Sequence, residues 1–203
     1  IIIKINQKGN HSLFFKGNNG TDICSSVSYN TTSIYINNII QYNLSSEYDF
    51  STENNTIELF FPDSITDYHC LFFECDAINE IDLTNFNLSN VDNAEFMFGG
   101  CSSLTSINFG NIDTSNIKYV GYMFYGCSSI TNVDISNFNT NSLISMVMTF
   151  GFCSNLTSIN LSNLNLSNVV DMAYLFFDCS NLKHINLDNT ITNSLKNIQY
   201  MFF

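Results

Sequence analysis

Arginine and tryptophan are missing from the 203 residues, proline occurs once, and six lysines face 18 Asp and Glu. The resulting net charge of −12 repels phosphate and acidic lipid, so nucleic acid and anionic membranes are poor partners. Only 12% of residues are charged, about half the usual share. No apolar run approaches the ~18 residues of a membrane span, so no direct membrane insertion is expected of this segment. Ile1, Ile2 and Ile3 form too short a run for a signal peptide and lack a basic flank. The lack of arginine and the single proline read as the mark of an AT-rich genome and carry no functional signal. Catalytic chemistry is also sparse. Three scattered His, isolated carboxylates, no Gly-rich phosphate loop and no C-x-x-C give no acid, base or nucleophile at a working spacing. The expectation is a protein that is not an enzyme, with no cofactor and no metal.

What is present is apolar and neutral-polar: 45% hydrophobic residues, 19 Phe and 10 Tyr, with 32 Asn and 25 Ser. Neutral amides and hydroxyls suit stacked, hydrogen-bonded backbones. Five of the seven cysteines, Cys75, Cys101, Cys127, Cys153 and Cys179, recur every 26 residues. A fixed period in this range marks a repeat array. We number the repeat from Cys at position 1, so that units one to five begin at those five cysteines. Position 7 is Ile81, Ile107, Val133, Ile159 and Ile185; position 9 is Leu83, Phe109, Ile135, Leu161 and Leu187; position 24 is Phe98, Phe124, Phe150, Phe176 and Phe202. Positions 7 and 9 alternate as in a strand. Positions 17, 20 and 24 recur at helical spacing, with Asn116 as a cap before Ile117, and with Gly100 and Gly126 closing the helix. The predicted fold is therefore an α/β solenoid, each coil a short parallel strand, a turn and a short helix, with the apolar faces buried by stacking.

The motif Phe-x-x-Cys-x-x-Leu/Ile, repeated five times, and segments such as 122–130 and 156–163 resemble the BspA-like leucine-rich repeat surface proteins, over roughly residues 57–203. The resemblance implies a secreted or surface-displayed, adhesive or structural molecule and no shared catalytic residues. Residues 1–56 resemble the strand-rich leaders of some protist members and are expected to form a β-rich N-terminal cap. Within them Ile1–Asn6 reads as a strand, Gly9-Asn10 as a turn leading to Leu13–Phe15, and 33–37 and 56–61 as further strands. A binding role for this leader is the alternative. Residues 57–74 run in phase as a degenerate first coil, and residues 75–203 hold the five repeats.

In an extracellular chain the two cysteines outside the ladder, Cys24 and Cys70, are expected to pair as a disulfide. The five ladder thiols are expected to be buried and free, because neighbouring strands about 4.8 Å apart are spaced more widely than disulfide Cβ atoms. The invariant Asn column at position 11, Asn85, Asn111, Asn137, Asn163 and Asn189, is expected to be structural, with buried amides bonding neighbouring turns. Position 8, Asp82, Asn108, Asp134, Asn160 and Asn186, faces outward and is either a solvated surface or a binding face for glycans or a surface protein. The residues Phe96, Tyr122, Met148, Tyr174 and Tyr200 at position 22 are either half-buried packing or an interface. Among the Asn-x-Ser/Thr sequons, Asn19, Asn30, Asn54, Asn87 and Asn165 fall in expected turns and are the glycosylation candidates. Met201, Phe202 and Phe203 have no polar cap chemistry, which leads to the expectation of a processed or partial chain. That end would continue into further repeats, or dock a second copy head to tail into a filament.

Overall fold

A computed structural model describes residues 1–13, 24, 33–41 and 47–203. Ten strands are seen among these described residues: β1 (Ile2–Ile5), β2 (Gly9–Ser12), β3 (Ser33–Ile36), β4 (Ile39–Ile40), β5 (Glu47–Phe50), β6 (Asn55–Phe60), β7 (Ile78–Asp82), β8 (Ser106–Asn108), β9 (Ser158–Asn160) and β10 (His184–Asn186). They form a six-stranded mixed sheet in the order β4-β3-β6-β1-β7-β8, a parallel pair β10-β9 and an antiparallel pair β2-β5. β1 lies between β6 and β7, antiparallel to both, so the first repeat strand does not end the sheet. The β3–β4 hairpin turns through Asn37 and Asn38, both left-handed, as a two-residue primed turn requires. Gly9 and Asn10 open β2 and do not form the predicted turn; Phe14 and Phe15 lie outside the described residues.

The expected α/β solenoid does not form. Among the described residues there is no helix, and the strands assort into separate mixed, parallel and antiparallel sheets. The segment expected to be helical, positions 17–24, is a run of tight turns. The amides of positions 20, 22, 24 and 26 leave their own unit for the carbonyls of positions 19, 21, 23 and 25 in the next. In unit one these are Ala94 N to Tyr119 O (2.9 Å), Phe96 N to Gly121 O (3.0 Å), Phe98 N to Met123 O (2.9 Å) and Gly100 N to Tyr125 O (2.6 Å). The amides between them close four-residue i→i+3 turns, as Met97 N to Ala94 O and Gly99 N to Phe96 O. A helix would keep all of these bonds to itself.

The turns need left-handed residues, and two columns supply them. Position 22 is left-handed at Cys70, Phe96, Tyr122, Met148, Tyr174 and Tyr200, with φ between 51° and 61°. Position 26 is left-handed at Glu74, Gly100, Gly126, Phe152 and Asp178. Gly100 and Gly126 thus serve a turn, in place of the predicted helix stop. A left-handed residue at the third place of an i→i+3 turn is the type II signature. The pattern of apolar residues looked helical because a run of i→i+3 turns also returns a side chain inward every third or fourth residue.

Residues 67–74 already carry this ladder, with Tyr68, Cys70, Phe72 and Glu74 donating to Asn93, Glu95, Met97 and Gly99. They make the same inter-unit bonds as the turn half of the later units. Inside the stack the position 24 rings lie on one another: Phe72–Phe98, Phe98–Phe124, Phe124–Phe150 and Phe150–Phe176 have centroids 5.4–5.7 Å apart and near-parallel planes. All five are buried. In the last described unit Leu187, Ile198 and Phe202 are exposed.

The strand side is less regular. β7 pairs with β8 and β9 with β10, both parallel. Unit three has no strand and keeps one bridge, Asp134 to Asn160. Between units two and three the described residues show no strand pairing of this kind. The cause lies at position 9, where Phe109 stands among Leu and Ile. Its buried ring meets Phe98 and Phe124 at 6.4 and 6.3 Å and Phe138 at 4.8 Å. That bulk holds the two segments apart where the smaller residues let the others meet.

Candidate functional site

The strand exits carry the polar residues singled out at position 8. In every unit the side-chain Oδ1 accepts the amide two residues on: Thr84 to Asp82 (2.8 Å), Gly110 to Asn108 (3.0 Å), Ser136 to Asp134 (2.9 Å), Ser162 to Asn160 (3.0 Å) and Asp188 to Asn186 (2.9 Å). These are Asx turns, which end a strand by giving its next free amide a side-chain acceptor. The same device recurs at position 13 with Asn87, Asp113, Asn139 and Asn165. It recurs again at position 19 with Asn93, Asp171 and Asn197. Units one and four make all three corners and the other units two, and eight of the 32 asparagines serve in them.

The asparagine column expected to bond neighbouring turns is elsewhere. Asn85, Asn111, Asn137, Asn163 and Asn189 are all exposed, so their amides are not the buried groups predicted. Asn163 and Asn189 are left-handed, a conformation asparagine tolerates better than most residues, and Asn189 Nδ2 bonds Asn163 Oδ1 at 3.1 Å. The amide bonds that recur from unit to unit onto backbone carbonyls include those of position 16. Asn90, Asn116 and Asn168 donate Nδ2 to the carbonyls of Asp63, Ser89 and Asn141 in the preceding unit. Asn116 is therefore a rung and not a helix cap. The signal that distinguishes the two columns is weak in sequence, because position 16 is Ser in units three and five.

Cys24 and Cys70 form a disulfide with Cα atoms 5.9 Å apart, tying the leader to the first turn ladder. The five ladder thiols are free. Each of four donates to the position 24 carbonyl 29 residues back: Cys101 to Phe72, Cys127 to Phe98, Cys153 to Phe124 (each 3.1 Å) and Cys179 to Phe150 (2.9 Å). The thiol thus adds a weak second donor to a carbonyl that already accepts the amide three residues on, as Cys75 N to Phe72 O at 3.1 Å. Burial pushes all five thiols up, Cys179 to about 11, which makes them poor nucleophiles. No group of three or more His, Cys, Asp or Glu that could hold a metal occurs among the described residues.

Two clefts open at the strand exits. One, of about 220 Å³, lies between the leader and unit one and is lined by Asp82, Asn85, Phe86 and Asn87 with Asp63 and Tyr68. The other, of about 230 Å³, lies where the strand ladder is broken, lined by Asn108, Phe109, Asn111, Asp134, Asn137 and Phe138. Both hold the same three side chains at positions 8, 11 and 12: Asp82, Asn85 and Phe86 in the first, Asp134, Asn137 and Phe138 in the second. The stretches 82–86 (Asp-Leu-Thr-Asn-Phe) and 134–138 (Asp-Ile-Ser-Asn-Phe) are matched residue for residue in type, whereas units two, four and five have Asn at position 8 and Ile, Leu or Thr at position 12. The Asp82 carboxyl is held below the usual range by the Thr84 hydroxyl and amide, and that of Asp134 by the same groups of Ser136. Each has an aromatic wall, Phe86 with Tyr68 (4.9 Å) and Phe138 with Phe109 (4.8 Å).

The glycosylation candidates Asn19 and Asn30 lie outside the described residues; Asn54 and Asn87 are exposed and Asn165 half-buried. Asn87 and Asn165 already use Nδ2, toward Asp63 Oδ1 (3.2 Å) and Asn141 Oδ1 (2.6 Å). The position 22 residues of units one to four are half-buried. Phe96–Tyr122 and Tyr174–Tyr200 are stacked at 4.4 and 5.1 Å, so ring faces meet along the stack and ring edges point away from it.

A family model described as "Mycoplasma protein of unknown function, DUF285" matches residues 15–130, 41–161 and 104–203. The chain belongs to this family. The overlapping matches are what a tandem repeat produces when one model fits several registers. Neither the curated proteins nor the solved structures contain a match to the chain. Among the described residues no helix is long and apolar enough to cross a membrane.

Proposed function

We propose that the chain is a non-enzymatic, surface-displayed repeat module with a structural and adhesive role outside the cell. The observation that carries this reading is the Cys24–Cys70 disulfide, because such bonds persist in oxidising, extracellular compartments and are rare in reducing ones. The resemblance of the Phe-x-x-Cys-x-x-Leu/Ile motif to BspA-like surface proteins supports the same location. The stack supports the adhesive part: every unit presents an amide or a carboxylate at its strand exit, an arrangement suited to repeated weak contacts. Labelling intact cells of the source organism with a membrane-impermeant amine reagent tests the location. The chain should be labelled without lysis, and mass mapping should find Cys24 joined to Cys70. Labelling that requires lysis, or a chain isolated with both thiols reduced, contradicts the reading.

A further inference from the structure

We propose that the two strand-exit clefts are saccharide subsites, each taking one neutral or amino sugar of a glycan that runs along the stack. The inference rests on the adhesive reading and names what the module would hold.

Three observations carry it. The first is recurrence. The trio of Asp, Asn and Phe occurs in units one and three, and each copy lines a cleft of nearly equal size, about 220 and 230 Å³. Folding alone does not require this trio. Units two, four and five make the same Asx turn with Asn, and their position 12 is Ile112, Leu164 or Thr190.

The second is chemistry. A carboxylate and an amide offer acceptors and donors to vicinal hydroxyls, and a phenyl ring covers the C–H face of a pyranose. A sugar needs both kinds of contact, because its hydroxyls must be paired when water is displaced. Oδ1 of each carboxylate is committed to the turn, which fixes the side chain in place; the Asn108 amide also bonds the Asp82 carboxyl, and at Asp134 the turn does not need the second oxygen. The carboxylates and the net charge of −12 disfavour acidic sugars and favour neutral or cationic ones.

The third is spacing. Asp82 and Asp134 are two units apart, and the stacked rings of the same units, Phe98, Phe124 and Phe150, step by 5.4 and 5.5 Å, a rise of about 11 Å that an extended β-linked glycan covers in about two residues. The same sugar face can therefore meet both clefts along a single chain, which is how two weak subsites act together.

The test uses the full chain, titrated calorimetrically with cellotetraose, chitotetraose and the chitosan tetramer, with sialyllactose as the acidic control, and followed by saturation-transfer NMR. Binding of a neutral or amino tetramer over sialyllactose is expected. Asp134→Asn and Phe138→Leu, residues that sister units tolerate at these positions, should each weaken it tenfold or more with the melting curve retained. Placing the trio in unit four, Asn160→Asp with Leu164→Phe, should strengthen binding or raise the stoichiometry. A parent chain that binds none of the three tetramers overturns the proposal, as do well-folded Asp134→Asn and Phe138→Leu variants that bind like the parent. Surface labelling of intact cells separates the two readings: a surface-exposed chain without saccharide binding loses the subsites and keeps the adhesive role, whereas a chain labelled only after lysis loses the adhesive reading whatever it binds.

Discussion

The turn side and the strand side of the stack are built from the same 26 residues and behave differently. On the turn side the ladder from positions 20–26 to the next unit continues without a break from Tyr68 to Phe203. On the strand side the pairing β7–β8 and β9–β10 is interrupted at unit three. The turn side tolerates costly backbone: six non-glycine residues stand left-handed at position 22, each at about 1–2 kcal/mol. It holds them because every second amide is bonded across units and the position 24 rings are stacked beneath. The strand side has only three-residue strands beyond β7, and one oversized side chain, Phe109, is enough to open it. The lesson is that the turns hold the repeats together, while the strand side is free to vary and to form clefts.

The comparison is broken most forcefully from the turn side. Phe150→Ala removes a ring stacked on Phe124 (5.5 Å) and Phe176 (5.7 Å) and wholly buried. A loss of about 3–5 kcal/mol is expected for such a core truncation, read from chemical denaturation. An equal loss from truncating Ile185, at the strand position 7, would erase the distinction between the two sides. Next comes Cys70→Ser, which frees the leader from the first turn ladder. The closed loop spans 46 residues of sequence separation, for which the chain-entropy model gives about 4 kcal/mol, less any native strain. Reducing agent should lower the melting temperature of the parent by a comparable amount and leave the Cys70→Ser variant unmoved; a parent insensitive to reductant would contradict this.

These expectations show what could be read in the residues and what could not. The 26-residue phase, the inward columns at positions 7, 9 and 24, and the stacked rings from Phe98 to Phe176 follow from apolar residues that must be buried. The pairing of Cys24 with Cys70 follows from two cysteines left outside the ladder of a chain read as extracellular, and the free ladder thiols from a strand spacing too wide for a disulfide. The error at positions 17–24 arose because a helix and a run of i→i+3 turns share the same inward spacing. Only the destination of alternate amides separates them, and that lies in the next unit. The invariant column at position 11 misled for a related reason. Regularity was equated with burial, yet Asn85 and its equivalents are exposed and the bonding amides at position 16 are interrupted by Ser142 and Ser194. The position 8 column was seen as a surface, but its role in the Asx turns, and the departure of Asp82 and Asp134 from their Asn counterparts, take their meaning only from the clefts.

A smaller change sharpens the contrast from the strand side. Phe109→Leu gives unit two the residue that units one, four and five carry at position 9. The lost ring contacts and the regained pairing oppose one another, so the net loss should fall well below the about 3–5 kcal/mol of a full Phe truncation. The informative measurement is hydrogen exchange. The amides of residue 109 and of Thr131 should gain protection, toward that of Leu83 and Thr157, whose amides bond Asn108 O and Thr131 O at 2.8 and 3.1 Å. Unchanged exchange at both sites would acquit the ring as the cause of the break.

The smallest effect tests whether the turn side truly holds its left-handed residues against their preference. Met148 is the one member of its column in units one to five that is not aromatic, with φ 52°. Tyr122 on one side is stacked on Phe96, and Tyr174 on the other is stacked on Tyr200. Glycine at 148 removes the left-handed penalty of about 1–2 kcal/mol and adds an entropic cost of about 0.5–1 kcal/mol in the unfolded chain. Loss of the half-buried Met side chain takes back part of the difference. Met148→Gly should therefore raise stability slightly, on the order of 0.5 kcal/mol or less. Tyr122→Gly relieves the same strain but gives up a ring pair at 4.4 Å, worth about 0.5–1.5 kcal/mol beyond its buried area, so it should be destabilising. The two substitutions must differ in sign in parallel denaturation curves. If both stabilise, the aromatic column contributes nothing to the stack. If both destabilise equally, side-chain burial outweighs backbone strain even at Met148.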